Sequence, residues 1–238
     1  MHSYSQRRHY LLGSELHGVM NYPFRTALLA YLQGGNADDF REAMETLREN
    51  YPPAAFYSAM NFLGTHDTPR ILTVLGADTV PQSKDERAAY RLTPAQRLKA
   101  AALVRLAALV LFTFPGSPMV YYGDEAGMEG FEDPFNRGGY PWGKEDQGLK
   151  TWFTNLGHLR RQRLSLQRGT ISYLYTAGSL LVYARSWQNQ RTVVAVNRAE
   201  AHASVCIPWP TDTALDLLSG RVYQAKDGVL PLHLPGRT

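Results

Sequence analysis

The stretch that decides the fold reads Asn61-Phe62-Leu63-Gly64-Thr65-His66-Asp67-Thr68-Pro69-Arg70. Together with Ala59 and Met60, its apolar first half is typical of a short buried strand, and Gly64 marks where that strand ends. A polar run from Thr65 to Arg70 follows directly. The sequence therefore predicts a strand with histidine and aspartate at its carboxyl end.

Two further segments repeat this arrangement of strand and polar end. Residues 15–22 predict a short buried strand that ends at Asn21-Tyr22, before Pro23. Residues 118–123 are apolar throughout, as expected of a parallel strand covered on both faces, and they lead into Asp124-Glu125. In a (β/α) barrel such strand ends lie on one rim, where the active site is built.

Helical patterns separate these strands. An amphipathic helix is predicted over residues 38–47, with acidic residues in its first turn. A long, mostly buried helix is predicted from Thr93 as N-cap, with Pro94 at the first helical position, to a stop at Pro115-Gly116. Another fits residues 149–167. Alternation of strand and helix favours parallel βα units over an antiparallel sheet.

A change of pattern follows Gly169. Short strands punctuated by turn residues are predicted at residues 171–175, 180–184, 192–196, 205–207 and 229–232. Residues 170–238 therefore predict a small antiparallel β domain. Within it, Cys206 is expected to be a buried structural thiol, and one cysteine excludes an internal disulfide framework.

Composition narrows the class of protein. The 238 residues are 44% hydrophobic and 11% aromatic, enough for a sizeable core. The net charge of +4 comes from scattered residues, so we expect no nucleic-acid partner. The longest apolar stretch, residues 100–114, contains Arg105 and is too short to cross a bilayer, so we expect no membrane partner. The chain as given predicts a cytoplasmic protein, although a signal sequence on a longer parent would not be visible.

Four motifs together resemble the α-amylase family of glycoside hydrolases, in its neopullulanase and cyclomaltodextrinase branch. The stretch at residues 61–70 is similar to the seventh barrel strand, and Val19-Met20-Asn21-Tyr22-Pro23 to the sixth. Residues 115–128 are similar to the eighth strand, and residues 133–142 to the loop after it. The resemblance implies an α/β fold: strands six to eight of a (β/α)8 TIM barrel over residues 1–168, then a small antiparallel β-sandwich domain over residues 169–238.

The resemblance also implies site residues. Asp67 matches the family carboxylate that binds sugar hydroxyls and helps to distort the ring towards its transition state, and His66 is expected to donate a hydrogen bond to the sugar. Asn21, Tyr22 and Arg137 are expected to contact substrate. For Arg70, contact with substrate and pairing with a carboxylate are equally open.

Further side chains are placed in the groove or the loops around it. Tyr22 and Phe24 could equally lie in the groove or in the core. Asp124 and Glu125 are expected to hold their loop by hydrogen bonds. The loop expected to contact a glucan contains Asp133, Asn136, Arg137, Tyr140 and Trp142.

The family is a retaining one, with an aspartate nucleophile and a glutamate acid/base that both precede the sixth strand. Residues 1–12 resemble the stretch just after that glutamate. The chain therefore predicts a fragment of an α-glucan hydrolase that is inactive alone, with an α-glucan or maltooligosaccharide as substrate of the parent.

The alternative is a non-catalytic carbohydrate-binding or interaction module. No cofactor and no metal centre are predicted, with calcium left open for the full-length parent. Barrel strands without their neighbours leave open sheet edges, so a homo-oligomer formed through those edges is predicted.

Overall fold

The computed structural model describes residues 8–237. Residues 1–7, part of the segment that resembles the stretch after the acid/base glutamate, lie outside the described residues. The helices and strands in chain order are α1 Tyr22–Leu32, α2 Ala37–Asn50, α3 Pro53–Ser58, β1 Met60–Phe62, α4 Ile71–Gly76, α5 Lys84–Ala89, α6 Pro94–Thr113, β2 Ser117–Met119, a 3₁₀ turn Phe135–Arg137, α7 Gln147–Gln162, α8 Leu164–Arg168, β3 Thr170–Ala177, β4 Leu180–Trp187, β5 Gln190–Asn197, β6 Ala203–Pro208, β7 Thr213–Leu215, β8 Val222–Gln224 and β9 Val229–Leu234.

The first half of the chain is a segment of a parallel barrel. Strands β1 and β2 pair in parallel, with Met60 opposite Ser117 and Phe62 opposite Met119. On the other side of β1, Met20 forms an isolated parallel bridge with Met60. Three consecutive parallel segments separated by helices confirm the predicted partial (β/α) barrel.

The first predicted strand, residues 15–22, is wrong in extent, because only the bridge at Met20 remains of it. Asn21 is instead the N-cap of α1, where its side chain accepts a hydrogen bond from the Phe24 amide. Tyr22 and Pro23 form the first turn of that helix, which the sequence analysis did not anticipate. Asn21 and Tyr22 therefore begin a helix and cannot also end a strand.

The third predicted strand, residues 118–123, also requires correction. The observed strand β2 ends at Met119, and its burial pattern is exposed at Ser117 and intermediate at the other two residues. Val120 and Tyr122 are 39% and 41% exposed. The cover expected on both faces is therefore incomplete over this part of the described chain.

The long helices follow their sequence signals closely. Helix α2 spans the predicted residues 38–47 and extends three residues beyond them. Helix α6 begins with a capping box in which Thr93 and Gln96 each bond the other's backbone. The helix predicted over residues 149–167 is two helices, α7 and α8, because Arg163 takes an extended backbone between them.

The C-terminal region is antiparallel, as predicted. Strands β3, β4 and β5 form one sheet, and the pairs β6–β9 and β7–β8 form two more. The prediction for Cys206 is wrong: its thiol is exposed. Val205 and Ile207 on either side are buried, so the alternation along β6 turns Cys206 outward.

One hydrophobic core joins the barrel segment to the C-terminal sheet. Leu181, Tyr183, Val194 and Val196 of β4 and β5 belong to the cluster that also contains the helices α1, α2 and α6. Arg185 is fully buried and donates to the carbonyl oxygen of Thr113, the last residue of α6, at 2.5 Å. A cation at a helix C-terminus satisfies carbonyl groups that have no partner within the helix.

Across residues 8–237, none of the helices combines the length and the apolar character that crossing a bilayer requires.

Candidate functional site

The loop after β1 carries His66 and Asp67 at the surface. Their side chains are 62% and 60% exposed, and His66 Nε2 lies 3.2 Å from Asp67 Oδ1. Arg137 approaches the same oxygen from the loop after β2, with its terminal nitrogen 3.8 Å away. A carboxylate between an imidazole and a guanidinium, open to solvent, is suited to accept hydrogen bonds from hydroxyl groups.

Hydrogen bonds within the loop fix its backbone. The Thr65 hydroxyl accepts from the Asp67 amide at 3.1 Å, and the Thr68 hydroxyl accepts from the Thr65 amide at 2.9 Å. Turns of this kind are typical of short polar residues at strand ends. They hold Asp67 at the end of β1 without involving its carboxylate.

Asn136 connects the two loops. Its side-chain nitrogen donates to the carbonyl oxygens of His66 and Thr68, each at 2.8 Å, and the residue is fully buried. Contact with a glucan, which its position in the loop had predicted, is therefore excluded in this arrangement. Asn136 positions the His66–Asp67 loop, a role for which the sequence offered no signal beyond proximity to Arg137.

Arg137 reinforces this connection. Its Nε atom donates to the carbonyl oxygen of His66 at 3.2 Å and lies 3.0 Å from the Asp133 carboxylate. With 44% of its side chain exposed, Arg137 remains accessible to a ligand. The structure thus brings together His66, Asp67 and Arg137, three of the six residues predicted for the site.

Arg70 does not belong to this exposed group. Its side chain is fully buried, donates to the Tyr122 carbonyl oxygen and lies 3.4 Å from Asp124 Oδ1. The guanidinium also stacks on the rings of Tyr121 and Tyr122, at 4.3 and 4.6 Å from their centroids. Of the two alternatives for Arg70, the structure shows the carboxylate pair, and the burial of the side chain leaves no surface for contact with substrate.

The buried position of Asp124 disfavours the charged form of its carboxyl group. Burial raises the pKa of its carboxyl to about 7, against the opposing influence of Arg70. Gly64 is needed beside it, because a Cβ atom there would lie 2.6 Å from Asp124 Oδ2. Glu125, the other acid of the pair, accepts a hydrogen bond from the Gly123 amide at 2.8 Å. Both acids hold the loop after β2, as the resemblance implied.

Asn21 and Tyr22 take different positions. Asn21 is 4% exposed and donates to Asn61 Oδ1 at 2.8 Å, while Asn61 donates to the Pro115 carbonyl oxygen at 2.7 Å. This buried chain ties the three barrel segments together and leaves Asn21 little exposed surface, while its substrate contact stays a prediction. Tyr22 is 42% exposed, with its ring edge against Phe62, and it remains available for contact. Phe24 lies in the core.

The loop after β2 also presents an aromatic pair. Trp142 is 80% exposed, and its ring lies 4.5 Å from that of Tyr140. Exposed aromatic faces suit sugar rings, which supports the prediction that these residues contact a glucan. That contact stays a prediction.

Among residues 8–237 there is no group of three or more histidine, cysteine or acidic side chains that could hold a metal ion.

Parallel strands that alternate with helices, with histidine and aspartate at the carboxyl end of one of them, define part of a (β/α)-barrel enzyme. The family model for the alpha-amylase catalytic domain matches residues 1–167, and the model for the alpha-amylase C-terminal domain matches residues 169–238. The chain therefore belongs to the α-amylase family.

Named relatives refine this assignment. The chain is 34% identical to an amylopullulanase from Thermoanaerobacter thermohydrosulfuricus over 94% of its own length and 16% of the relative's. It is 32% identical to a cyclomaltodextrinase from Geobacillus thermopakistaniensis over 95% of its own length and 36% of the relative's. Neopullulanase 2 from Thermoactinomyces vulgaris is 31% identical, with 94% and 36% covered. These relatives are consistent with the neopullulanase and cyclomaltodextrinase branch, and the chain spans about a third or less of their length.

Solved structures show the same fold. An Anoxybacillus α-amylase superposes with a TM-score of 0.82 at 23% identity, over the whole chain and 49% of that enzyme. A cyclomaltodextrinase superposes with a TM-score of 0.77 at 26% identity, over 98% of this chain and 38% of that one.

Proposed function

We propose that this chain supplies the sixth to eighth barrel strands of a retaining α-glucan hydrolase, with His66 and Asp67 contacting the sugar at the bond to be cleaved. The observation that carries the proposal is the exposed Asp67 carboxylate at the carboxyl end of β1, held between His66 and Arg137. Relatives named amylopullulanase, cyclomaltodextrinase and neopullulanase support an α-glucan or maltooligosaccharide as the substrate.

The proposed role of Asp67 is to accept hydrogen bonds from sugar hydroxyls that strengthen as the ring distorts towards the oxocarbenium-like transition state. A retaining mechanism also needs a nucleophile and an acid/base roughly 5 Å apart. The side chains in contact with Asp67 are His66 and Arg137, and neither is a second carboxylate. Asp67 alone cannot act as both nucleophile and acid/base, so we infer that other residues of the intact enzyme supply both catalytic carboxylates and that this chain alone does not hydrolyse glucans.

The test compares this chain with a protein from the same source that also carries the preceding barrel strands. Both are assayed on pullulan, cyclodextrin and p-nitrophenyl maltoside. We expect hydrolysis by the longer protein alone, with kcat/KM reduced by roughly 10²–10³-fold in Asp67→Ala. Asp133→Ala is the matched control, because it removes a carboxylate of similar exposure that contacts the same Arg137.

Turnover by the short chain that survives purification and disappears in Asp67→Ala would contradict the proposal. Equal losses in Asp67→Ala and Asp133→Ala would also contradict it, since the effect would then reflect the charge around Arg137 and not sugar contact.

We further propose that the short chain self-associates through its open barrel edges. Around β1 and β2 the apolar side chains of Tyr22, Met60, Val120 and Tyr122 are about two-fifths exposed, at 38–42%. Exposed sheet edges with apolar side chains are templates for pairing with another chain. A second copy of this chain offers the same edge and the same apolar surface.

A further inference from the structure

A cleft remote from the His66–Asp67 loop lies between the barrel segment and the C-terminal region. It has a volume of about 700 Å³ and is lined by residues of α6 and α7 on one side and of β5 to β9 on the other. This volume falls within the range of small-molecule sites in proteins. All of its lining comes from the described chain.

The floor of the cleft is apolar. Leu106 of α6, Ile207 of β6 and Leu230 of β9 line it and are at most 3% exposed. At the rim, Leu215 and Leu218 are 57% and 46% exposed. An apolar surface that runs from the floor to an exposed rim favours a ligand with an extended apolar part.

Three arginines surround this apolar surface, namely Arg105, Arg163 and Arg191. None of their guanidinium groups makes a hydrogen bond or an ion pair with any group of residues 8–237. Arg105 stacks over the Trp152 ring at 4.7 Å, and Arg191 lies 6.0 Å from the centre of the Trp209 ring. Stacking holds Arg105 in place, and the hydrogen-bond donors of both cations remain free for an anion.

Within the described lining, Asp216 is the one carboxylate. Its side chain accepts hydrogen bonds from the Leu218 amide and the Ser219 hydroxyl of its own turn. The fourth arginine of the lining, Arg237, pairs with Glu200. The uncompensated charge of the cleft is therefore positive.

We propose that this cleft binds an amphiphilic anion, namely a medium-chain fatty carboxylate. Its tail lies on the apolar floor and its head group pairs with Arg105 or Arg191. A glucan fits the cleft less well. Both indole N–H groups are already used, by the carbonyl oxygens of Arg105 and Thr213, and the single carboxylate is occupied by its own turn. Sugar hydroxyls could accept from the free arginines, but the apolar floor offers them no hydrogen-bond partner.

The experiment measures binding of laurate to this chain by calorimetry, below the concentration at which laurate forms micelles. We expect saturable binding, weakened by at least about tenfold in the Arg105→Gln/Arg191→Gln double variant, because charge-assisted hydrogen bonds to the head group are lost. Arg161→Gln, an exposed arginine of α7 outside the cleft, is the matched control and should bind laurate as the wild type does. Ala102→Trp, which adds bulk to the cleft wall, should also abolish binding.

A comparison that needs no variant tests the choice of head group. Undecyl maltoside has the same alkyl tail as laurate and an uncharged sugar head, and we expect it to bind at least about tenfold more weakly than laurate. Absence of laurate binding, unchanged affinity in the double variant, or equal affinity for the maltoside would each overturn the proposal.

Discussion

The side-chain nitrogen of Asn136 lies 2.8 Å from the carbonyl oxygen of His66, so a buried amide from the loop after β2 sets the position of the loop after β1. The same nitrogen also donates to the Thr68 carbonyl oxygen, so the two bonds hold the residues on either side of Asp67. The geometry around Asp67 thus depends on a residue that touches no ligand itself.

Replacing Asn136 by alanine should lower the free energy of unfolding by about 2 kcal/mol, because the hydrogen bonds from its buried side chain to the His66 and Thr68 carbonyl oxygens are lost, although Arg137 still donates to the former. It should also accelerate amide hydrogen exchange over residues 65–68. Urea denaturation and hydrogen-exchange mass spectrometry measure the two effects. The control is Asn50→Ala, which removes one exposed hydrogen bond to the Thr46 carbonyl oxygen and should cost under about 1 kcal/mol. Similar costs and unchanged exchange for both variants would contradict the positioning role.

The buried pair of Arg70 and Asp124 predicts strong coupling in a double-mutant cycle. At pH 8 Arg70→Met should cost about 3–5 kcal/mol, because it leaves a buried carboxylate without its cation. The combination with Asp124→Asn should cost less than the sum of the single variants by at least about 1 kcal/mol. Urea denaturation of the four proteins provides the test. Additive costs would show that the two side chains act independently.

The same carboxyl group predicts a dependence of stability on pH. Burial raises the Asp124 pKa from its ordinary 3.8 to about 7, so the folded state binds this proton more tightly than the unfolded chain does. Its contribution to stability is therefore complete below about pH 4 and is lost as the pH rises through 7, by roughly 4 kcal/mol in all. The difference in unfolding free energy between wild type and Asp124→Asn, measured from pH 4 to 8, should follow this course.

A flat difference across that range would contradict the raised pKa. Should Asp124→Asn fail to fold, the titration of the Asp124 carboxyl carbon by ¹³C NMR in the wild type measures the same property.

Self-association through the barrel edge predicts a specific effect of charge. Val120→Lys places a cation on the open face beside β2 and should shift the sedimentation profile at tens of micromolar protein from oligomer towards monomer. Val80→Lys changes a residue that is 63% exposed elsewhere on the surface, and it should leave the profile unchanged. A wild-type chain that is monomeric at this concentration would contradict the proposed assembly.

Sequence patterns predicted the helices and the C-terminal strands well where local signals were strong. The capping box at Thr93, the acidic first turn of α2 and the alternation along β5 each arise from neighbouring residues. The errors lie where a distant contact decides. For Asn21 the local pattern allowed either a strand end or the N-cap of α1, and the bond of its side chain to Asn61, 40 positions away, accompanies the cap.

The candidate site shows the same division. The motif at residues 61–70 placed His66 and Asp67 correctly at a strand end, but it could not separate the exposed Asp67 from the buried Arg70 three residues later. That separation depends on Tyr121, Tyr122 and Asp124, more than 50 residues away. Likewise, the outward position of Cys206 depends on Val205 and Ile207 packing in one buried cluster with Leu180, Val182, Leu230 and Leu234.

The buried side chains of β4 limit where the barrel segment and the C-terminal region of different family members can be recombined. Tyr183 bonds the Thr113 hydroxyl at 2.5 Å, and Arg185 holds the end of the same helix, so the barrel segment and the C-terminal sheet share an interior. A recombination joint placed near residue 168 would follow the boundary between the two family models and still cut through one cooperative unit. Chimaeric proteins joined there should fold well only when the β4 residues that face α6 come from the same parent as α6. Residues on the two sides of the boundary are therefore expected to coevolve.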